Sequence, residues 1–164
     1  MNRIHFFSAM LLTVLSVWIH AAASAQSPVS AQSPASAQSL AGDKILGTWM
    51  SEKKNGKIEV YRSGNKYYGK LVWGDKMYEA DGKTSKKDVK NADAGQRSRN
   101  LKDLVLLTDM SFDDGEWSGG KIYDPESGKT YSCNMKLDGL KLNIRGYIGL
   151  SLFGRTSVWT RAQN

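Results

Sequence analysis

Residues 130–137 read Thr-Tyr-Ser-Cys-Asn-Met-Lys-Leu, with Tyr131, Cys133, Met135 and Leu137 on one face and Thr130, Ser132, Asn134 and Lys136 on the other. A period of two marks a strand with one buried face. Past the Asp138-Gly139 turn the pattern resumes, Leu140, Leu142 and Ile144 opposing Lys141, Asn143 and Arg145, so the two segments predict a hairpin. Further strands are predicted at 47–52, 57–62 with Ile58 and Val60 inward, 66–73, 104–110, 116–124 and 155–161. Turn signals separate them: Ser63-Gly64-Asn65, Asp113-Asp114-Gly115, and Asp124-Pro125 followed by Gly128. No long helical period competes. The polar, Lys-rich stretch 74–100 is predicted as an excursion outside the strands, with one helical turn near 99–104.

About eight strands with one apolar face each fit a closed antiparallel barrel or a two-sheet sandwich. The two ends of the strand region favour the barrel. Gly47-Thr48-Trp49 opens the first strand and Trp159-Thr160-Arg161 closes the last. In an up-and-down barrel these strands are neighbours, so Trp49 would plug one end with Arg161 across its ring. A cation–π contact contributes about 0.5–2 kcal/mol, whereas truncating a buried Trp costs about 3–5 kcal/mol. Burial of the indole therefore dominates and the arginine is its lid. Gly47 lets the chain pass the ring with no Cβ in the way.

Upstream, the pattern is of another kind. Arg3, an apolar run over 6–19 and the small residues Ala23-Ser24-Ala25 have the parts of a secretory signal, so residues 1–25 are expected to be a leader and the protein exported, to the periplasm first and the extracellular space second. The apolar run is short for a membrane span. Three near copies of one hexapeptide follow over 24–41, ending Pro-Val, Pro-Ala and Leu-Ala; residues 26–41 are read as a flexible spacer and 42–164 as the barrel domain.

Export changes the reading of the remaining composition. Only one cysteine, Cys133, is present, so no disulfide staples the domain and its core must suffice. Both histidines, His5 and His20, lie in the expected leader. A histidine-free domain has no Ser-His-Asp or Cys-His arrangement and no imidazole for zinc or copper, so neither an enzyme nor a metal or other cofactor is expected. From residue 42 onward 22 Lys and Arg face 16 Asp and Glu, a modest and interleaved surplus. No basic stripe with stacking aromatics appears, so nucleic acid is not an expected partner; weak attraction to an anionic membrane surface is the most that the charge implies.

The expected inward side chains are Ile58, Val60, Leu71, Tyr131, Cys133, Met135, Leu142 and Ile144, with no charge among them. They either fill the barrel or line a pocket for one acyl-chain-like ligand. Burying about 300 Å² of apolar surface gains roughly 7 kcal/mol against an association cost of about 4–15 kcal/mol, so a small apolar molecule would bind poorly and a long one is favoured. Cys133 reads as a small buried hydrophobe, since nothing nearby would activate it. The segment 146–155 places Ile148, Leu150, Leu152 and Phe153 before the last strand, as a lid over the opening or as an apolar patch, with the lid preferred. Arg145 and Arg155 flank it and are candidates to hold an anionic headgroup. Asp113 and Asp114 read as turn residues in place of paired glycosidase acids, and Asp88, Asn91 and Asp93 lack the glycine and distal glutamate of a calcium loop.

Specific motifs carry a resemblance. Gly-Gly-Lys-Ile-Tyr-Asp-Pro-Glu-Ser-Gly-Lys-Thr-Tyr at 119–131, Leu-Asn-Ile-Arg-Gly-Tyr-Ile-Gly at 142–149, Gly-Arg-Thr-Ser-Val-Trp-Thr-Arg at 154–161, and Asp-Val-Lys-Asn-Ala-Asp at 88–93 followed by Arg97 and Arg99 are similar to the exported bacterial family called domain of unknown function twenty-one forty-seven. Ala92 stands where that family commonly has proline. The resemblance implies a lipocalin-like barrel in the envelope and no particular activity. The expected function is to hold an apolar or amphipathic small molecule in the barrel. The alternative is an interaction or inhibitor module with a filled interior, acting through its loops at 74–100 and 146–155 on a protein partner that the sequence does not name. An enzyme using carboxylates or tyrosines is the third reading.

Overall fold

A computed structural model describes residues 34–163, so the expected leader and the first hexapeptide copy lie outside the described residues. The alternating segments form eight antiparallel strands: β1 (Gly47–Met50), β2 (Gly56–Ser63), β3 (Lys66–Gly74), β4 (Val105–Asp113), β5 (Glu116–Asp124), β6 (Lys129–Asp138), β7 (Lys141–Tyr147) and β8 (Arg155–Arg161). Each pairs with the next and β8 returns to β1, closing the barrel. Closure leaves no sheet edge to pair with another chain. The loops gather at two ends. One, the floor, holds the tight turns β2–β3, β4–β5 and β6–β7; the other, the rim, holds residues 51–55, 75–104, 125–128 and 148–154.

The floor follows the sequence reading. Trp49 pairs with Arg161, is fully buried, and donates its indole N–H to the Ile45 carbonyl at 2.8 Å. The Arg161 guanidinium lies 4.0 Å from the ring centroid and donates to the carbonyls of Leu46 and Lys44. Gly47 has φ 111, and a Cβ there would stand 3.0 Å from the guanidinium, so the position favours glycine on both counts. Partial burial lowers the Arg161 pKa from its ordinary value. Trp159 is half-buried, faces Leu142 across β7–β8 and packs against the core.

Three expectations change. The third hexapeptide copy, expected to be flexible, lies in helix α1 (Pro34–Gly42), which begins on a proline and runs through helix-forming Ala, Gln and Leu. Gln38 donates to the Asp113 carboxylate at 3.2 Å, which fastens the helix to the floor. The expected turn near 99–104 forms instead as a 3₁₀ turn at Ala94–Gln96, where the Asp93 carboxylate accepts from the Gly95 N–H at 2.9 Å and caps it. Leu140, assigned inward by alternation, occupies the β6–β7 turn and is 82% exposed.

The described residues 34–163 belong to one compact unit. Its hydrogen-bond ladder closes on itself and its core is built from its own side chains, so it holds what a domain needs to fold alone.

Candidate functional site

The barrel interior is packed. Ile58, Val60, Cys133, Met135, Leu142 and Ile144 are at most 2% exposed, while Leu71 and Tyr131 are half-buried toward the rim. Four further side chains complete the filling: Tyr67, Leu107, Met110 and Trp117. The sequence pattern hid two of these. Asp109 sits at φ 59 and interrupts the alternation of β4, so Leu107 and Met110, three positions apart, both end buried. Glycines make room for them. A Cβ on Gly120 would fall 2.3 Å from the Met110 sulfur, and one on Gly69 would fall 2.9 Å from Leu107. Burial pushes the Cys133 thiol up to about 12, so it stays protonated and inert at neutral pH.

The rim is organised by the excursion over 75–104, which folds down onto the outer wall. Asp88 is 1% exposed and anchors it. Its carboxylate accepts from the Tyr123 hydroxyl at 2.6 Å, from Asn91 Nδ2 at 2.8 Å, and from Arg99 through Nε at 3.0 Å and Nη2 at 2.9 Å. Arg99 also lies 5.2 Å from the Tyr123 ring centroid, and Arg97 donates to the Asn91 carbonyl at 2.8 Å. Desolvation first, and then the bond to Asp88, raise the Tyr123 pKa from its ordinary value. The Asp-x-x-Asn segment with its two arginines is therefore a clamp. Its carboxylate lone pairs are taken by protein donors, and among the described residues no cluster of three potential metal ligands occurs.

Between the clamp and the wall lies a cleft of about 620 Å³. Leu106, Val105 and Ile148 give it an apolar lining, Thr108 and Thr130 supply hydroxyls, and Lys121 and Lys129 stand at its edge. Both lysines are exposed and in no ion pair among the described residues. Sequence reasoning missed this cleft. Its signal was the unbroken run Leu104-Val105-Leu106-Leu107, where a strand facing water on one side would have alternated.

The segment after β7 differs from expectation. Ile148, Leu150, Leu152 and Phe153 are 72%, 69%, 78% and 79% exposed, so they form a patch and not a lid. Arg145 does not present its charge to the opening. It points to the outer wall and donates to the Ser151 carbonyl at 2.8 Å, the Leu152 carbonyl at 3.0 Å and the Thr156 hydroxyl at 2.9 Å, holding the 3₁₀ turn Ser151–Phe153. Arg155 is exposed.

Comparison with known proteins agrees with this architecture. HP1028 of Helicobacter pylori, described as belonging to the lipocalin family, matches with a TM-score of 0.64 and 24% identity over 73% of this chain and 84% of its own. At that identity the likeness shows a shared lipocalin-like fold. No curated protein matches the chain. The family described as "Uncharacterized protein conserved in bacteria (DUF2147)" matches residues 47–161, which span all eight strands, and the chain belongs to that family.

Proposed function

We propose that the protein is an exported binding protein that holds an anionic amphipathic small molecule, taken in the outer cleft at the rim and not within the barrel. A lipocalin-like fold suggests ligand binding, and the packed interior moves the site outward. The observation that carries this reading is the cleft itself. Its volume lies within the range of about 300–1,000 Å³ of small-molecule sites, with Val105, Leu106 and Ile148 as apolar patches in a mixed lining that includes Asp93 and Arg99, and with two lysines at its edge that are in no ion pair among the described residues. The apolar tail would rest on Leu106 and Ile148 while an acid group meets Lys121 and Lys129. Binding without turnover fits the remaining chemistry: the thiol is inert and the buried carboxylate of Asp88 is fully engaged. Export rests on the leader-like residues 1–25.

Titration of the unit 32–164 with decanoate, followed by amide NMR, tests the proposal. Saturable shifts are expected at Leu106, Thr108, Lys121 and Thr130, with affinity falling about tenfold in Lys121→Glu/Lys129→Glu as two attractive charges become repulsive. Shifts confined to interior positions such as Cys133 and Ile144, or no saturable response, overturn it. A second reading, an interaction module working through its rim, is favoured by one observation, the exposed apolar segment after β7.

A further inference from the structure

We infer that the segment 148–155 is a docking element for an anionic lipid surface, with Leu150, Leu152 and Phe153 entering the headgroup layer and Arg155 beside them meeting phosphate. This reading does not require the cleft ligand, although Ile148 and Lys129 border both surfaces. Four observations carry it. First, exposure is concentrated: of the eight large hydrophobics that are exposed among the described residues, five (Val89, Ile148, Leu150, Leu152 and Phe153) belong to the rim loops and Trp73 to the rim end of β3, and four lie in this one segment. Scattered apolar residues are ordinary on a soluble surface, whereas a contiguous set marks a place of contact.

Second, the segment is held open. A slack loop carrying these residues would bury them against the neighbouring cleft. Here Arg145 fixes the carbonyls of Ser151 and Leu152, the Phe153 N–H bonds the Leu150 carbonyl at 3.2 Å, and the Gly154 N–H bonds that of Ser151 at 3.0 Å. A Cβ on Gly154 would stand 2.8 Å from both the Gly146 carbonyl oxygen and the Tyr147 side chain, so the return to β8 is tightly packed. The carbonyls of Leu150, Ser151 and Leu152 and the N–H groups of Phe153 and Gly154 are thereby satisfied internally, which lowers the cost of entering a poorly hydrated layer. Third, the charge is of one sign. Residues 145–155 contain two arginines and no carboxylate, and Arg155 is in no ion pair among the described residues. Lys129 stands beside Ile148 at the cleft edge. The β4–β5 turn at the opposite end of the barrel carries Asp113 and Asp114, which would disfavour approach of that turn to an anionic surface.

Fourth, a lipid surface suits this geometry better than a protein does. Leu150, Leu152 and Phe153 stand exposed beside Arg155 and line neither the cleft at the clamp nor the one bordered by Ser151 and Arg145, whereas a protein hot spot usually seats its anchors in a desolvated pocket. The contact proposed is peripheral, made by side chains of one loop; no helix among the described residues is long and apolar enough to cross a membrane.

Co-sedimentation of the unit 32–164 with vesicles decides the matter. The parent is expected to sediment with phosphatidylglycerol-containing vesicles and much less with pure phosphatidylcholine. Leu152→Ser/Phe153→Ser is expected to lower partitioning at least tenfold, and Arg155→Glu about fivefold with relief by salt. Both variants should keep the circular dichroism of the parent, because the changed side chains already face water. In Phe153→Trp, tryptophan emission should shift to the blue on vesicle addition. Failure of the parent to sediment with anionic vesicles, equal sedimentation of the double variant, or loss of self-association in place of vesicle binding each overturns the inference. Decanoate binding by the double variant should be unchanged, which separates this result from the fate of the cleft proposal.

Discussion

The two ends of the barrel use the same device for opposite purposes. At the floor, Arg161 reaches back to the carbonyls of Leu46 and Lys44 and covers Trp49, which is fully buried. At the rim, Arg145 reaches back to the carbonyls of Ser151 and Leu152, yet the residues it organises, Leu152 and Phe153 among them, remain in water. One arginine lies over an apolar side chain, and the other braces apolar side chains outward. The difference separates two tasks. Removing a group that fills the interior costs stability, whereas removing one that is already solvated costs little of it and exposes what the rim is for.

Breaking the floor should have the largest effect. Trp49→Ala removes a fully buried indole and its hydrogen bond to Ile45, so unfolding free energy in urea is expected to fall by about 3–5 kcal/mol. A loss below about 1 kcal/mol would mean that the floor is not the stabilising end. The clamp over the rim comes next. Asp88→Asn keeps the size of the side chain but turns an acceptor into a donor toward Arg99, and removes one charge of a pair whose acid is completely buried. A loss of about 2–3 kcal/mol is expected, with amide exchange accelerated over 75–104 before the rest of the barrel. Uniform acceleration would show instead that the excursion is one with the barrel core.

Much of the floor could be read from the sequence, because it is written in residue types with narrow uses. A Gly-x-Trp start, an Arg at the end and alternation in most of the strands between them favour a closed barrel with a plugged end. The turns are equally legible, since Asp-Gly and Asp-Asp-Gly have a stereochemical reason to be there. The rim resisted for physical reasons. Arg145 alternates as an outward residue whether it holds a ligand or a loop, and only coordinates reveal that backbone carbonyls take its donors. The packing of Met110 into the space left by Gly120 depends on the irregularity at Asp109, which breaks the period that sequence reading follows. The helix at Pro34–Gly42 escaped notice because its segment has neither charge nor a wide apolar face; it is held by contacts with the floor, including the bond from Gln38 to Asp113.

A smaller, pH-dependent effect tests whether the wall between the two ends is as dry as it looks. Burial raises the Cys133 thiol from an ordinary 9.0 to about 12. Below the unfolded value both states carry the neutral thiol and the shift contributes nothing that varies with pH. Above it the unfolded chain loses a proton that the folded chain keeps, so stability falls as pH rises from about 9 toward about 12, by up to about 1.4 kcal/mol per unit. The stability advantage of the parent over Cys133→Ala should therefore shrink across that window, and a disulfide reagent at pH 8 should label the thiol only as fast as the barrel opens. Rapid labelling of the native protein would show a water-filled interior and return the ligand site to the barrel.

The finest test acts on Arg145 alone. Arg145→Ala removes three hydrogen bonds at the surface, each worth about 0.5–1.5 kcal/mol at most and partly replaced by water, so the midpoint of unfolding should hardly move. What should change is the segment it braces. Without the guanidinium, the carbonyls of Ser151 and Leu152 lose their fixed donors, the 3₁₀ turn Ser151–Phe153 loosens, and Leu152 and Phe153 gain freedom to collapse toward the wall. Amide exchange confined to 148–154 is expected to quicken at least tenfold while the strands keep their protection. If the segment stays protected, its outward pose is a property of its own turn and glycines, and Arg145 is one more solvated charge on the wall. If it loosens and the strands do not, the rim is an element whose order is maintained separately from the stability of the fold, the reverse of the arrangement at Trp49.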